Sequence, residues 1–159
     1  YPRGRGIFSD WRKPFAEIPV GKARIISRGK DIAILSVGHP GNFVVEAVER
    51  LKTDNIGVEH IDMRFIKPLD EECLHTVFKS FSQIITVEDG ILAGGFGSAV
   101  LEFMCEHKYS ANIKRLGVPD RFVEHGTQQE LYKECGFDAE AIVQTVKSLV
   151  SSKILSKAS

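Results

Sequence analysis

Residues 83–102 read Q-I-I-T-V-E-D-G-I-L-A-G-G-F-G-S-A-V-L-E, and two periodicities meet inside them. Ile84, Ile85 and Val87 form a short apolar run rich in β-branched side chains, which predicts a buried strand ending at the acidic pair Glu88-Asp89. Beyond Gly94-Gly95 the period changes: Ala99, Val100, Phe103, Met104 and His107 recur at helical spacing. Strand, glycine turn and helix make one unit of an open α/β sheet. In such sheets ligands or partners sit in the crevice outside the carboxyl ends of the strands.

The same grammar extends to both sides. Upstream, Gly21–Ser27 and Ile32–Val37 are short apolar strands around Arg28-Gly29-Lys30-Asp31, which reads as a hairpin turn joining an antiparallel pair. Gly38-His39-Pro40-Gly41-Asn42 breaks the chain, and Val44, Ala47, Val48 and Leu51 then mark an amphipathic helix to about Lys52. Val58–Met63 is the next strand. Asp70 is placed to cap a helix bearing Leu74, Val77, Phe78 and Phe81, with Glu71 and Glu72 in its positive first turn. Downstream, Ile113–Val118 is a last strand stopped by Pro119, and Thr127-Gln128-Gln129-Glu130 is a capping box for a helix that Gly136 ends. Asp138 caps a final helix whose Ile142, Val143, Val146, Leu149, Val150 and Ile154 form an apolar stripe. The expected architecture is a doubly wound, mostly parallel sheet of about five strands with one antiparallel edge strand.

A chain of 159 residues, 43% of them hydrophobic, has the material for one domain with a substantial core and not for two. Residues 1–20 read as a linker arm with aromatic anchors at Phe8, Trp11 and Phe15, residues 21–155 as the domain, and 156–159 as a fraying tail. An opening on Tyr1-Pro2-Arg3-Gly4 without an initiator methionine reads as the middle of something longer. Basic and acidic side chains both total 21, so nothing implies a nucleic acid or a membrane as partner. No run is long enough to span a bilayer and no signal peptide opens the chain, so a cytoplasmic location is expected. Cys73, Cys105 and Cys135 are odd in number and widely separated, which predicts reduced, buried thiols rather than a disulfide framework or a metal site.

The candidate sites each carry a bland reading. Ala93-Gly94-Gly95-Phe96-Gly97-Ser98 stands where a dinucleotide fingerprint would, yet the last glycine of G-x-G-x-x-G falls at Val100, and the turn comes late in the chain. Close strand-to-helix packing, or contact with another subunit, explains those glycines as well. Free N–H groups at that helix start are able to hold an anion. His107 reads as core or half-buried, whereas His125, in Glu124-His125-Gly126 between a strand and a capped helix, is available for chemistry. Glu88 and Asp89 suit acid–base work or a metal, and equally a helix cap or an ion pair.

Several of these segments together carry a resemblance. Tyr1-Pro2-Arg3-Gly4, Asp62-Met63-Arg64-Phe65-Ile66-Lys67-Pro68-Leu69-Asp70, Thr86-Val87-Glu88-Asp89-Gly90 with Gly94-Gly95-Phe96-Gly97-Ser98-Ala99, and Gly117-Val118-Pro119-Asp120-Arg121-Phe122 with Glu124-His125-Gly126 resemble, in that order, the C-terminal part of the 1-deoxy-D-xylulose-5-phosphate synthases, within the transketolase C-terminal domain family. The D-x-R-F-x-K-P-L-D segment is the more specific, while T-V-E-x-G is shared with transketolase C-terminal domains at large.

The resemblance implies an enzyme that uses thiamine diphosphate and Mg2+ to decarboxylate pyruvate and transfer the two-carbon unit to glyceraldehyde 3-phosphate, for isoprenoid precursors. The coenzyme motifs of that family lie in N-terminal and middle domains that have no counterpart here, so this chain alone is expected to bind no cofactor and to be inactive. Arg3 matches the family arginine that pairs with the aldehyde's phosphate, a task for a planar bidentate donor. The implied partners are a second copy and the missing domains of the same chain, and Ile91, Leu92 and Phe96 are the expected interface residues. Two other readings stay open: the C-terminal domain of a 2-oxoacid dehydrogenase β subunit, and a free-standing module binding a nucleotide at Gly94–Ser98.

Overall fold

Ile32–Val37 (β2) is buried along almost its whole length, which requires neighbours on both edges and cover on both faces. The computed structural model, describing Arg12 and residues 14–157, supplies all of these. In chain order the elements are Arg24–Ser27 (β1), β2, Gly41–Lys52 (α1), Val58–Asp62 (β3), Glu71–Ser80 (α2), Gln83–Ile91 (β4), Phe96–Glu106 (α3), Asn112–Val118 (β5), Gln128–Cys135 (α4) and Ala139–Lys157 (α5). They build one five-stranded sheet of order β1-β3-β2-β4-β5. β2 is parallel to both β3 and β4, and Ile34 faces His60 on one side and Ile85 on the other. β5 extends the parallel set beside β4, and β1 is the antiparallel edge. The expected doubly wound sheet with a single antiparallel edge strand is therefore the fold.

The expected hairpin is not. β1 pairs with β3, Arg24 opposite Asp62, instead of with β2. Glu59 on β3 explains the displacement. Its carboxylate accepts from Arg28 Nη1 and from the Gly29 amide, both at 2.9 Å, and so draws the turn over β3. Gly29 crosses so closely that an added Cβ would lie 2.3 Å from the Val58 nitrogen. Asp31 then ties the turn to the strand's entrance by accepting from the Gly57 amide at 2.7 Å.

Alternation along the strands fills two cores. On one face Ile34, Ile85 and Val87 pack with Val44 and Leu51 of α1, Phe137, and Ile142 and Val146 of α5. On the other, Ala33, Leu35 and Ile84 meet Leu74 and Phe78 of α2 and Phe96, Val100 and Phe103 of α3. Phe96 is fully buried there, which corrects its expected place at a subunit interface: its side chain serves the second core. The caps fall where the sequence put them. Asp70 accepts from the Cys73 amide, Thr127 and Glu130 close a capping box, Gly136 is left-handed at φ 73°, and Asp138 accepts from the Ala141 amide. α5 continues to Lys157, into the expected tail.

Candidate functional site

Connections from β2 and β4 run in opposite directions, β2 through α1 to β3 and β4 through α3 to β5, so the carboxyl ends of these adjacent strands form the sheet's switch point. A cleft of about 370 Å3 opens there, lined by Val37, Gly38, His39, Pro40, Ile66, Glu88, Asp89 and Gly90. A larger groove of about 730 Å3 lies at the β1 edge beside α2, but its rim charges Lys22 with Glu72 and Arg28 with Glu59 are paired with one another. The switch-point cleft is the site that the topology favours.

Glu88 and Asp89 do different work in it. Glu88 is 3% exposed and turns back into the chain, accepting from the Phe96 amide at 2.7 Å and the Gly97 amide at 2.8 Å. A carboxylate on the first free N–H groups of a helix is a strong cap, with the positive end of the dipole added. It accounts for Gly95, where a Cβ would stand 2.2 Å from the Ile91 carbonyl oxygen and 2.3 Å from Glu88 Oε2. Arg115 on β5 locks the rest of the turn, donating to the Leu92 carbonyl at 2.6 Å and to Ser98 Oγ at 3.0 Å. The amides that a nucleotide phosphate would need at this helix start are thus occupied by the chain's own carboxylate, and the glycines serve close packing.

Asp89 faces the cleft and binds His39 Nε2 at 2.6 Å. The His39 ring lies 5.2 Å from Tyr132 of α4 and 6.0 Å edge-on from Phe43 of α1. This carboxylate–imidazole pair was hidden in the sequence, because His39 and Asp89 are 50 residues apart and meet only when β4 lies beside β2. The signal was that His39 follows β2 and Asp89 stands near the carboxyl end of β4 in the same sheet. His125 is exposed, with no hydrogen-bonding, ionic or ring partner among the described residues, and His107 is also exposed, capping α3 against Phe103 rather than entering the core. Among the described residues no three His, Cys, Asp or Glu side chains form a group able to hold a metal ion. Arg3, the expected phosphate ligand, lies outside the described residues. Ile91 is exposed and Leu92 half-buried at the rim of the glycine turn.

Deeper in the sheet, Ser36 Oγ and His60 Nε2 are 2.9 Å apart and fully buried, while His60 Nδ1 and Thr86 Oγ1 have no hydrogen-bond partner. Burial lowers the His60 pKa to about 4, against a smaller opposing effect of Asp62. Burial likewise raises the Cys73 thiol to about 11; all three cysteines are free, but none is fully buried as expected, Cys73 and Cys135 being half-buried and Cys105 exposed on the outer side of α3.

Residues 21–142 match the family model described as "Transketolase, C-terminal domain". The chain belongs to this family. Over 149 residues this transketolase C-terminal domain is 59% identical to the 1-deoxy-D-xylulose-5-phosphate synthase of Cytophaga hutchinsonii, covering 94% of this chain and 23% of that protein. The synthase of Parabacteroides distasonis is 50% identical over 147 residues, covering 92% and 23%. The chain thus spans about a quarter of the length of the curated relatives it matches. Among solved structures, "Split gene transketolase, inactive beta4 tetramer" superimposes with a TM-score of 0.80 at 29% identity, over 90% of this chain and 46% of that one. Transketolase from Campylobacter jejuni shares the fold, with a TM-score of 0.59 at 16% identity, over 83% of this chain and 20% of that one. In the described residues of the domain, no helix is long and apolar enough to cross a membrane.

Proposed function

We propose that the chain is the C-terminal part of a cytoplasmic, thiamine-diphosphate-dependent 1-deoxy-D-xylulose-5-phosphate synthase, in which it extends the dimer and supports the active site. The observation that carries the reading is 59% identity to such a synthase over 94% of the chain. In the full-length enzyme the coenzyme, with Mg2+, supplies the carbanion chemistry that joins pyruvate carbon to glyceraldehyde 3-phosphate with loss of CO2. The described residues offer that coenzyme neither a metal-binding group nor free amides at α3, so no chemical step is assigned to them. Their contribution is support: Glu88, Arg115 and the His39–Asp89 pair fix the loops at the carboxyl ends of the strands. Arg3, in the arm, is the residue assigned to the aldehyde's phosphate. Ile91 and Leu92 are assigned to self-association.

Two measurements test this. The purified chain, supplied with pyruvate, glyceraldehyde 3-phosphate, thiamine diphosphate and Mg2+, is expected to release no CO2; turnover would overturn the supporting role. Replacing the matched 149 residues of the Cytophaga hutchinsonii synthase by this chain is expected to give an active enzyme. In that chimera Arg3→Ala should raise the KM for the aldehyde phosphate by about tenfold or more, as loss of a charge-assisted contact does.

A further inference from the structure

Where α3 has ended and β5 has not begun, at the amino ends of the parallel strands and away from the switch-point cleft, two imidazoles come together. His75 on α2 and His107, the residue that closes α3, have ring centroids 4.6 Å apart with their planes at 74°. Both rest on buried Phe103, at 5.0 Å and 4.3 Å. Tyr109, itself stacked on Phe78 at 5.2 Å, has its hydroxyl 2.9 Å from His75 Nδ1. When that hydroxyl accepts from Nδ1–H, the His75 Nε2 lone pair is left uncommitted, and a hydrogen bond of this kind on the other nitrogen is what orients an imidazole for a metal. Neither nitrogen of His107 has a hydrogen-bond or ionic partner among the described residues.

The separation decides what such a pair can hold. A metal–nitrogen bond of about 2.1 Å, with about 1.1 Å more to the ring centre, puts two imidazoles at right angles on one ion about 4.5 Å apart, and two at the tetrahedral angle about 5.2 Å apart. The observed 4.6 Å is the right-angled value. We propose that His75 and His107 form a two-imidazole site for a divalent ion of square-planar or octahedral preference, Ni2+ or Cu2+, which clamps α2 to the end of α3 while water completes its shell. Mg2+, which takes oxygen ligands, is not suited to it. The electrostatics agree. α3 has no basic residue in its last turn, so a cation held by His107 answers the negative end of the helix, and Glu106 and Lys108 flank His107 in sequence with opposite charges. The competing account is an aromatic seam that packs the two elements and binds nothing.

The test is the melting of the purified chain with Ni2+, and with Zn2+ and Mg2+ for comparison. Saturating Ni2+ should raise the melting temperature by about 3 °C or more, Zn2+ by less, and Mg2+ not at all. His75→Gln and His107→Gln should each abolish the Ni2+ shift, and Tyr109→Phe should weaken Ni2+ binding about tenfold. Cys105→Ser, which removes the exposed thiol two residues before His107, should leave the shift unchanged. His107 is exposed, so His107→Gln carries the test even where substitution at His75 loosens the fold. A chain that Ni2+ does not stabilise overturns the site. A shift that survives His107→Gln or vanishes with Cys105→Ser also overturns it, by placing the ion elsewhere. So does one that survives His75→Gln, which reduces the site to a single exposed imidazole, and so does a Zn2+ shift as large as that of Ni2+, which removes the right-angled geometry.

Discussion

Thr86 is the residue at which burial and bonding disagree most plainly. Its hydroxyl is wholly buried in β4 without a partner, and a Cβ on Gly97 would come within 2.6 Å of it. Thr86→Val exchanges that hydroxyl for a methyl group of similar size, and we expect stabilisation of about 1 kcal/mol, read as a rise in melting temperature. His60 makes the fold sensitive to acid. Its folded pKa of about 4 is below the ordinary 6.5, so from pH 6.5 downward the unfolded chain binds the proton and the folded chain does not. Stability is therefore full above pH 6.5, declines between 6.5 and 4, and has lost about 3 kcal/mol below that from this residue alone. Denaturant midpoints compared at pH 7 and pH 4.5 should show the loss, and His60→Gln should flatten it. Neither effect was legible in the sequence, since nothing around Thr86 or His60 states which side of the strand is covered.

At the scale of elements, α3 depends on a cap that the sequence offered only as one of four readings of Glu88-Asp89. Glu88→Ala leaves the Phe96 and Gly97 amides buried and unpaired, and should cost about 2 kcal/mol with early fraying of α3 in hydrogen exchange. Gly95→Ala should be at least as damaging, because both neighbours within 2.3 Å belong to the same locked turn. The caps of α2, α4 and α5 were legible because each is closed by a bond within three residues, a range that local sequence controls. The partner of β1 was not: the choice between β2 and β3 turned on Glu59, some 30 residues away from the turn it holds.

For the whole molecule, the exposed Ile91 at the turn gives the self-association prediction its handle. Ile91→Asp should lower the mass of the chain in solution by light scattering without changing its melt, and an unchanged mass would remove the turn from the interface. Phe96→Asp, by contrast, should unfold the domain, since it places a charge in the second core. What the sequence determined by itself was everything with a local cause: the order and period of the elements, the doubly wound sheet they imply, the caps, and a family resemblance carried by short contiguous segments. Tertiary structure alone decided the partner of β1, the burial of Phe96, the separate fates of Glu88 and Asp89, and the meeting of His39 with Asp89. Each of those is settled by which strand lies beside which, and that order is fixed by the packing of two cores over the whole sheet rather than by any stretch that can be read on its own.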